Sequence, residues 1–468
     1  MSDISANITA KETVKVNIAA GVSRDADTVD DKHASELEPA ITEGTVYQCW
    51  KGNKSWQTTP YVDVRDYASF SVAIDAIGAS EKTLLIPNEQ AVSADKTVPA
   101  NVTIKFLQGG SLNIADTKTV TINGHVEASL YQIFKWAGTG KVSFGSGAVK
   151  EVYPEWWGAK GDGVTDDYIA IQAAIVAAGS LGMVYFGGHT YAYGTYLNIP
   201  GHVTVQGSGI GATVLLYTGA DAYAIRVIDH YSNLSSFTIQ QAVDRITDRA
   251  GIYVGGMHNV FRDIYTVGFR IGVKMEGDAV GCAYNNYFNL TFAQNFYDYY
   301  LTAKNAGFCN ANTVFGGLAT ASADVGSIGI YIVHYATNKL NGNYFIGTSI
   351  EVPLIGVFCD ALSNGFLNCR FECGGKDIWF GANALANSVI GDRWLDVDDD
   401  SGGLKQYVHI TGGIDVSTYF SVLNVKVVGP RVVDARCDDA INSGDATTDG
   451  VIDALRDAMI AHGLVAAA

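Results

Sequence analysis

Proline is scarce, at 8 of 468 residues, and only 17% of residues are charged. Few prolines mean few backbone positions without a hydrogen-bond donor, which suits long runs of paired strands. Low charge together with 48% hydrophobic residues excludes a disordered chain. Basic excess is also missing: 31 Lys and Arg stand against 48 Asp and Glu, a net charge of −17, with no Lys/Arg block. A phosphate backbone is therefore excluded as a partner. The seven cysteines (Cys49, Cys282, Cys309, Cys359, Cys369, Cys373, Cys437) are odd in number, scattered and without a CxxC pair. That fits neither a disulfide framework nor a zinc site, so they read as small core residues made in a reducing compartment. Residues 1–17 lack the basic start and apolar run of a secretory signal, so none is expected. The nearest approach to a membrane span, residues 170–186, is split by Gly179, Ser180 and Gly182, so no membrane partner is expected. What is abundant is glycine, 52 residues, which calls for many tight turns.

Four regions follow along the chain. Residues 1–60 mix short apolar pieces with acidic turns and read as an N-terminal adaptor or linker. Residues 61–152 hold short β-prone runs such as 83–87, 102–106, 109–114 and 120–124, a short β-rich domain with almost no helix. Residues 153–415 open with one helix. Thr165 is its expected N-cap, Asp166 and Asp167 suit its positive end, and Ile169, Ala170, Ala173, Ala174 and Val176 form its apolar face. Residues 416–468 change pattern: a last strand at 422–428, a stop at Pro430, and a short helix at 451–462 with Ile452, Leu455 and Met459 on one face. So narrow a stripe points to an oligomerisation or docking tail.

The segment Gly161-Asp162-Gly163-Val164-Thr165-Asp166-Asp167, followed by Gly187-Gly188-His189-Thr190-Tyr191 and Val205-Gln206-Gly207-Ser208-Gly209, resembles the start of the right-handed parallel β-helix of the pectate-lyase superfamily. That group includes many bacteriophage tailspikes and capsule depolymerases. This chain departs from the pattern where a Pro is replaced, at Gly187. The resemblance implies an all-β fold, a right-handed parallel β-helix with one capping α-helix. In that family the opening motif is a structural cap, so Asp162, Asp166 and Asp167 are assigned no catalysis.

Internal repeats set the expected register. An Asn-headed segment recurs at Asn233, Asn259, Asn286, Asn312, Asn343, Asn364 and Asn387, at spacings of 21 to 31 residues. A second column runs through Ile225, Ile252, Val273, Tyr299, Ile330, Val357 and Ile378, all expected to point inward. The residue after each should point outward: Arg226, Tyr253, Lys274, Tyr300, Tyr331, Phe358 and Trp379. Such an aromatic ladder needs a partner. Two partners fit: a sugar stacked on Tyr300, Tyr331 and Trp379, or sister chains, since tailspike-like β-helices commonly form homotrimers.

The ninth position of the Asn segment reads Gln241, Val267, Gln294, Thr320, Glu351, Glu372 and Leu395. Glu351 and Glu372 would thus sit on adjacent rungs, about 5 Å apart. That is the separation of an acid/base and nucleophile pair in a retaining glycosidase, and like charges so close disfavour joint ionisation. Arg370 and Arg393 lie on the same face and are candidate substrate ligands. The alternative is a structural ladder in which these arginines neutralise the two glutamates.

No cofactor is expected; Asp396, Asp398 and Asp400 resemble half of a Ca²⁺ loop, but Tyr407 stands where its closing Glu belongs. Asp229-His230 echoes a pectate-lyase string, yet the lyase and polygalacturonase catalytic motifs are missing, and no family's catalytic set carries over. The resemblance implies a phage or prophage tailspike, assembled in the host cytoplasm and carried on the virion tail. Its N-terminus would meet other tail or baseplate proteins, and its body would bind and depolymerise a bacterial surface polysaccharide by glycoside hydrolysis. A non-enzymatic receptor-binding spike and a polysaccharide lyase are the competing readings.

Overall fold

The computed structural model describes residues 59–391 apart from 180–181, 242–246, 280 and 334–338. It also describes 395–401 and short pieces elsewhere, at 28–29, 32–33, 48–50, 56–58, 407–410, 420–422, 425–428, 454–455 and 457. The chain divides into two units, residues 1–61 and 62–468. Described parts of the first are two small antiparallel pairs, Thr28–Val29 with Lys32–His33 and Gln48–Trp50 with Trp56–Thr58.

The second unit is built of stacked parallel strands. Its first part already coils: strands at 82–144 form three parallel sheets, each pairing residues one turn of chain apart, as in Leu84 with Ile104 and Leu112 with Phe134. The alternation of Val102–Phe106, buried at every second residue, shows why the short β-prone runs coil: each turn buries one face around a shared core. This coil carries a helix that the sequence pattern missed, α1 (Phe70–Ile77), capped by Ser69, whose Oγ accepts the Val72 N–H at 3.3 Å.

Helix α2 (Tyr168–Ala178) begins later than expected. Residues 162–166 form a strand, Thr165 donates to Asp162, and Asp167 takes the N-cap position. The three aspartates act as backbone acceptors: Asp162 for Val164 and Thr165, Asp166 for Tyr168, and Asp167 for Lys160 and Gly161. The buried face of α2 is also rotated, with Ala170, Ile171, Ala174, Ile175 and Ala177 inside and Ile169 and Val176 exposed. A helix apolar all round carries no periodic signal to tell these faces apart.

Beyond α2 the solenoid has three faces. Face A carries Phe261, Tyr287, Val314, Phe345, Phe366 and Val389 inward; face B carries Ile350 and Phe371 inward; face C is a nine-stranded parallel sheet. The expected inward column of face C is observed in register and buried from Ile225 to Ile378, and continues to a half-buried Val397. The tail strand expected at 422–428 is instead an antiparallel pair, Phe420–Val422 with Val425–Val428. Of the expected C-terminal helix, Ala454, Leu455 and Asp457 are helical and the remainder lies outside the described residues. Among the described residues, no helix is long and apolar enough to cross a membrane. Cys282, Cys309, Cys359 and Cys369 are buried in the core.

The asparagine column needs one correction. The stacked residues are Asn259, Asn285, Asn312, Asn343, Asn364 and Asn387, headed by Ser232, so Asn233 and Asn286 sit one position too late. Each side-chain oxygen accepts the backbone N–H of the residue one rung before it, at 2.8–3.2 Å. Each amide that precedes the stack is thereby satisfied inside the protein. The residue before each Asn takes positive φ: His258, Tyr284, Ala311, Gly342, Ser363 and Ala386. Glycine fills that corner at one rung alone, so the abundance of glycine is not what turns these corners.

Candidate functional site

Shifting the register by one residue at the two early rungs moves Gln241 and Gln294 out of the glutamate column. Gln240 pairs with Val267, and Val267 with Ala293. Glu351 and Glu372 are untouched, because Ser349 pairs with Arg370 and Ile350 with Phe371. Inward Ile350 and Phe371 are buried, which throws Ser349, Glu351, Arg370 and Glu372 to the outside at the corner between faces B and C.

There the Arg370 guanidinium joins both carboxylates, Nη1 to Glu351 Oε1 and Nη2 to Glu372 Oε1. Ser349 Oγ donates to Glu351 Oε1 at 2.8 Å and receives Arg370 Nη1 at 3.2 Å. The side chains remain accessible, at 54% for Arg370, 34% for Glu351 and 46% for Glu372. Ion pairs this open add about 0–1 kcal/mol each, so the triad is not what holds the rungs together. Both Oε2 atoms lack a protein hydrogen bond among the described residues. Arg393, the expected companion, lies outside the described residues.

Three residues, Val352 to Leu354, separate Glu351 from the face C strand Ile355–Asp360; three more, Cys373 to Gly375, separate Glu372 from Lys376–Phe380. The corner therefore leads along the chain into face C, whose outward aromatic ladder runs in the expected order. Ring centroids lie 5.2 Å apart at each step from Tyr300 to Tyr331, Phe358 and Trp379. Tyr297, at the start of its strand, stacks on Tyr331 at 4.8 Å and meets Phe296 at 4.7 Å, with Arg270 over Phe296 at 3.8 Å. This chain of rings runs from face C to the corner of its own rung, two rungs before that of Glu351. The sequence pattern missed it because Phe296 and Tyr297 precede the repeating column.

One rung before Glu351, an open cavity of about 580 Å³ is lined by Gln294, Thr320, Ser322 and Asp324 among others. Beneath it lies Asp298, fully buried. Burial pushes its carboxyl up to about 8, against hydrogen bonds from Asn295 and from the backbone of Ala321 and Thr320. Asp298 thus braces the turn that walls the cavity.

Of the remaining acidic candidates Asp398 lies on a strand, Val397–Asp399, which continues face C, and Asp396 and Asp400 flank it. Lys376 Nζ reaches Asp396 at 2.9 Å and Asp398 at 3.2 Å, and Trp379 Nε1 donates to Asp400 at 2.8 Å. Among the described residues, no group of three His, Cys, Asp or Glu is arranged to hold a metal ion. Two outward stacks were not anticipated. Phe288 and Phe315 lie 5.0 Å apart on face A, in a column continued by Ile346 and Leu367. His202, Tyr231, His258 and Tyr284 stack at 5.0–5.1 Å along one corner.

No family model matches the chain. Depolymerase 1, capsule KN3-specific, of Klebsiella phage KN3-1 is 28% identical over 240 residues, 47% of this chain and 28% of that protein. The chain thus spans less than a third of that relative's length. Among solved structures, ORF18 of Geobacillus virus E2 aligns with 58% of this chain and 62% of its own, at 15% identity and a TM-score of 0.39. The A-module of mannuronan C-5 epimerase AlgE4 from Azotobacter vinelandii covers 57% and 90%, at 16% and 0.40. A tailspike protein of E. coli bacteriophage HK620 covers 77% and 81%, at 11% and 0.37. The chain is a parallel β-helix protein whose opening motif resembles the pectate-lyase superfamily and its phage tailspikes, and whose sequence is similar to a phage capsule depolymerase.

Proposed function

We propose that this chain recognises a bacterial surface polysaccharide and cleaves it by glycoside hydrolysis, as part of a phage or prophage tailspike. The observation that carries this reading is the Glu351–Arg370–Glu372 triad, on adjacent rungs at the corner that leads into the face carrying the aromatic ladder. Adjacent rungs are about 4.8 Å apart, close to the spacing of a retaining pair. One carboxyl group protonates the glycosidic oxygen while the other carboxylate attacks the anomeric carbon. The leaving sugar departs and a glycosyl ester remains. Water then attacks the ester, giving its proton to the first carboxylate, so the net change is one glycosidic bond cleaved and one water consumed. The aromatic rings hold neighbouring sugars by their C–H faces.

A second reading, recognition without cleavage, is favoured by one specific observation: Arg370 already engages both carboxylates. The proposal extends to a homotrimer attached to the phage tail through its N-terminal residues. The test is release of reducing ends from capsular polysaccharides of a bacterial panel. Glu351→Gln and Glu372→Gln should each lower the rate at least about 100-fold. Cleavage that survives both changes removes the pair from the mechanism, and binding with no reducing ends released leaves recognition alone. Sedimentation of a monomer would remove sister chains as the ladder's cover.

A further inference from the structure

The outward column of face C changes character along its length. From Arg226 through Tyr253, Lys274 and Tyr300 it alternates cation and ring; from Tyr300 to Trp379 it is aromatic throughout, and it ends at Asp398. All members from Arg226 to Trp379 are half-buried.

The cationic half is not fully neutralised. Lys274 and Lys304 both grip Glu276, at 2.9 and 2.8 Å, and Tyr253 donates to the same carboxylate at 3.2 Å. Burial opposes the charge on Glu276, but hydrogen bonds from Lys304 and Lys274 outweigh it and hold this carboxyl below its ordinary range. Lys304 also lies 3.6 Å from Asp278. Arg226 has less: Nη1 makes one long hydrogen bond to Asn198, 3.4 Å, and its buried Nε finds no partner among the described residues. Counting Arg226, Lys274 and Lys304 against Glu276 and Asp278, the cluster keeps one positive charge on a chain of net −17. The Nε is closed to a ligand, but the Nη end of the guanidinium, held among the described residues by that one long bond, can take a carboxylate in a charge-assisted pair.

Rings flank these cations. Tyr223 packs on Tyr253 at 4.9 Å, Tyr196 on Tyr223 at 5.2 Å, and Lys274 Nζ lies 5.8 Å from the centre of Tyr300. Stacking alone does not distinguish a neutral from an anionic sugar, whereas an interleaved guanidinium does. Cations recur every second rung, about 9.6 Å apart. That repeat suits an anion carried on alternate units of a sugar chain.

We propose that Arg226, Tyr253, Lys274 and Tyr300, with Lys304 beside them, form a binding strip for an acidic polysaccharide. Its carboxylates meet Arg226 and Lys274, and its rings pack on Tyr253 and Tyr300. Asp396, Asp398 and Asp400 at the other end repel the same chain, so the acidic units gather at the Arg226 end. The inference rests on the reading that face C receives a glycan and names the class of that glycan.

The test applies the full chain to an array of purified bacterial surface polysaccharides, acidic and neutral, at low salt, and then titrates the tightest binder. The expected binders carry carboxylates, lose most of their affinity when those groups are chemically reduced, and weaken as salt rises. Arg226→Gln should weaken binding about tenfold or more while the thermal melt stays unchanged, and Arg226→Lys should recover part of it. Equal binding of neutral polysaccharides, or acidic binding indifferent to a folded Arg226→Gln, overturns the strip. An array with no binder at all overturns the glycan reading itself.

Discussion

Two stacks of polar side chains run along this solenoid, and they could hardly differ more. The asparagine stack from Asn259 to Asn387 is fully buried, and its side-chain oxygens close backbone amides. The Glu351–Arg370–Glu372 triad is half open and, among the described residues, binds only to itself and Ser349, with carboxylate oxygens to spare. Position around the coil sets the difference. A polar group aimed inward must be satisfied by the protein, and one aimed outward is left with capacity for a ligand.

The contrast can be broken most strongly from the inside. Asn312 accepts from Asn285 and donates to Cys282 and Asn343, so Asn312→Leu strands several buried groups at once. At about 1–3 kcal/mol for each unsatisfied group, denaturant unfolding should show a loss of roughly 3–5 kcal/mol. Asp298 comes next. The folded state holds its proton up to about pH 8, whereas the unfolded chain releases it near the ordinary value of 3.8. Stability is therefore lost as pH rises between those values, by roughly 1.4 kcal/mol per pH unit at most. Melting curves between pH 5 and 9 should fall for the wild type and flatten for Asp298→Asn.

On the outer stack the same kind of change should separate function from stability. Glu372→Gln, which should cost at least about 100-fold in cleavage, should leave the melting temperature nearly unmoved. Smallest of all, Arg370→Ala should change unfolding free energy by under about 1 kcal/mol, since its pairs are exposed. A loss of several kcal/mol there would make the outer triad a structural ladder like the inner one.

How far the sequence could be read follows the same inside–outside division. The face C column was legible to the residue because Ile225, Ile252, Val273, Tyr299, Ile330, Val357 and Ile378 are apolar positions at a steady offset, each followed by an outward residue. The Asn column slipped at two rungs, where Ser232-Asn233 and Asn285-Asn286 offer two polar residues for one place, and only the hydrogen bonds choose between them. Helix α2 was placed, but its N-cap and buried face were not, because Asp167 and Thr165 are both good caps and every side of the helix is apolar.

The sequence by itself determined the coil. Strand-length apolar runs repeating every 21 to 31 residues can bury their faces only by stacking on copies of themselves. It also determined that Glu351 and Glu372 are neighbours, since both follow the same offset from their asparagines. The tertiary structure alone decided what surrounds them. That Arg370 reaches both carboxylates, that Tyr297 stacks on Tyr331, and that Lys304 shares Glu276 with Lys274 depend on contacts between rungs. Such contacts are set by side-chain reach around a corner, which no period along the chain encodes.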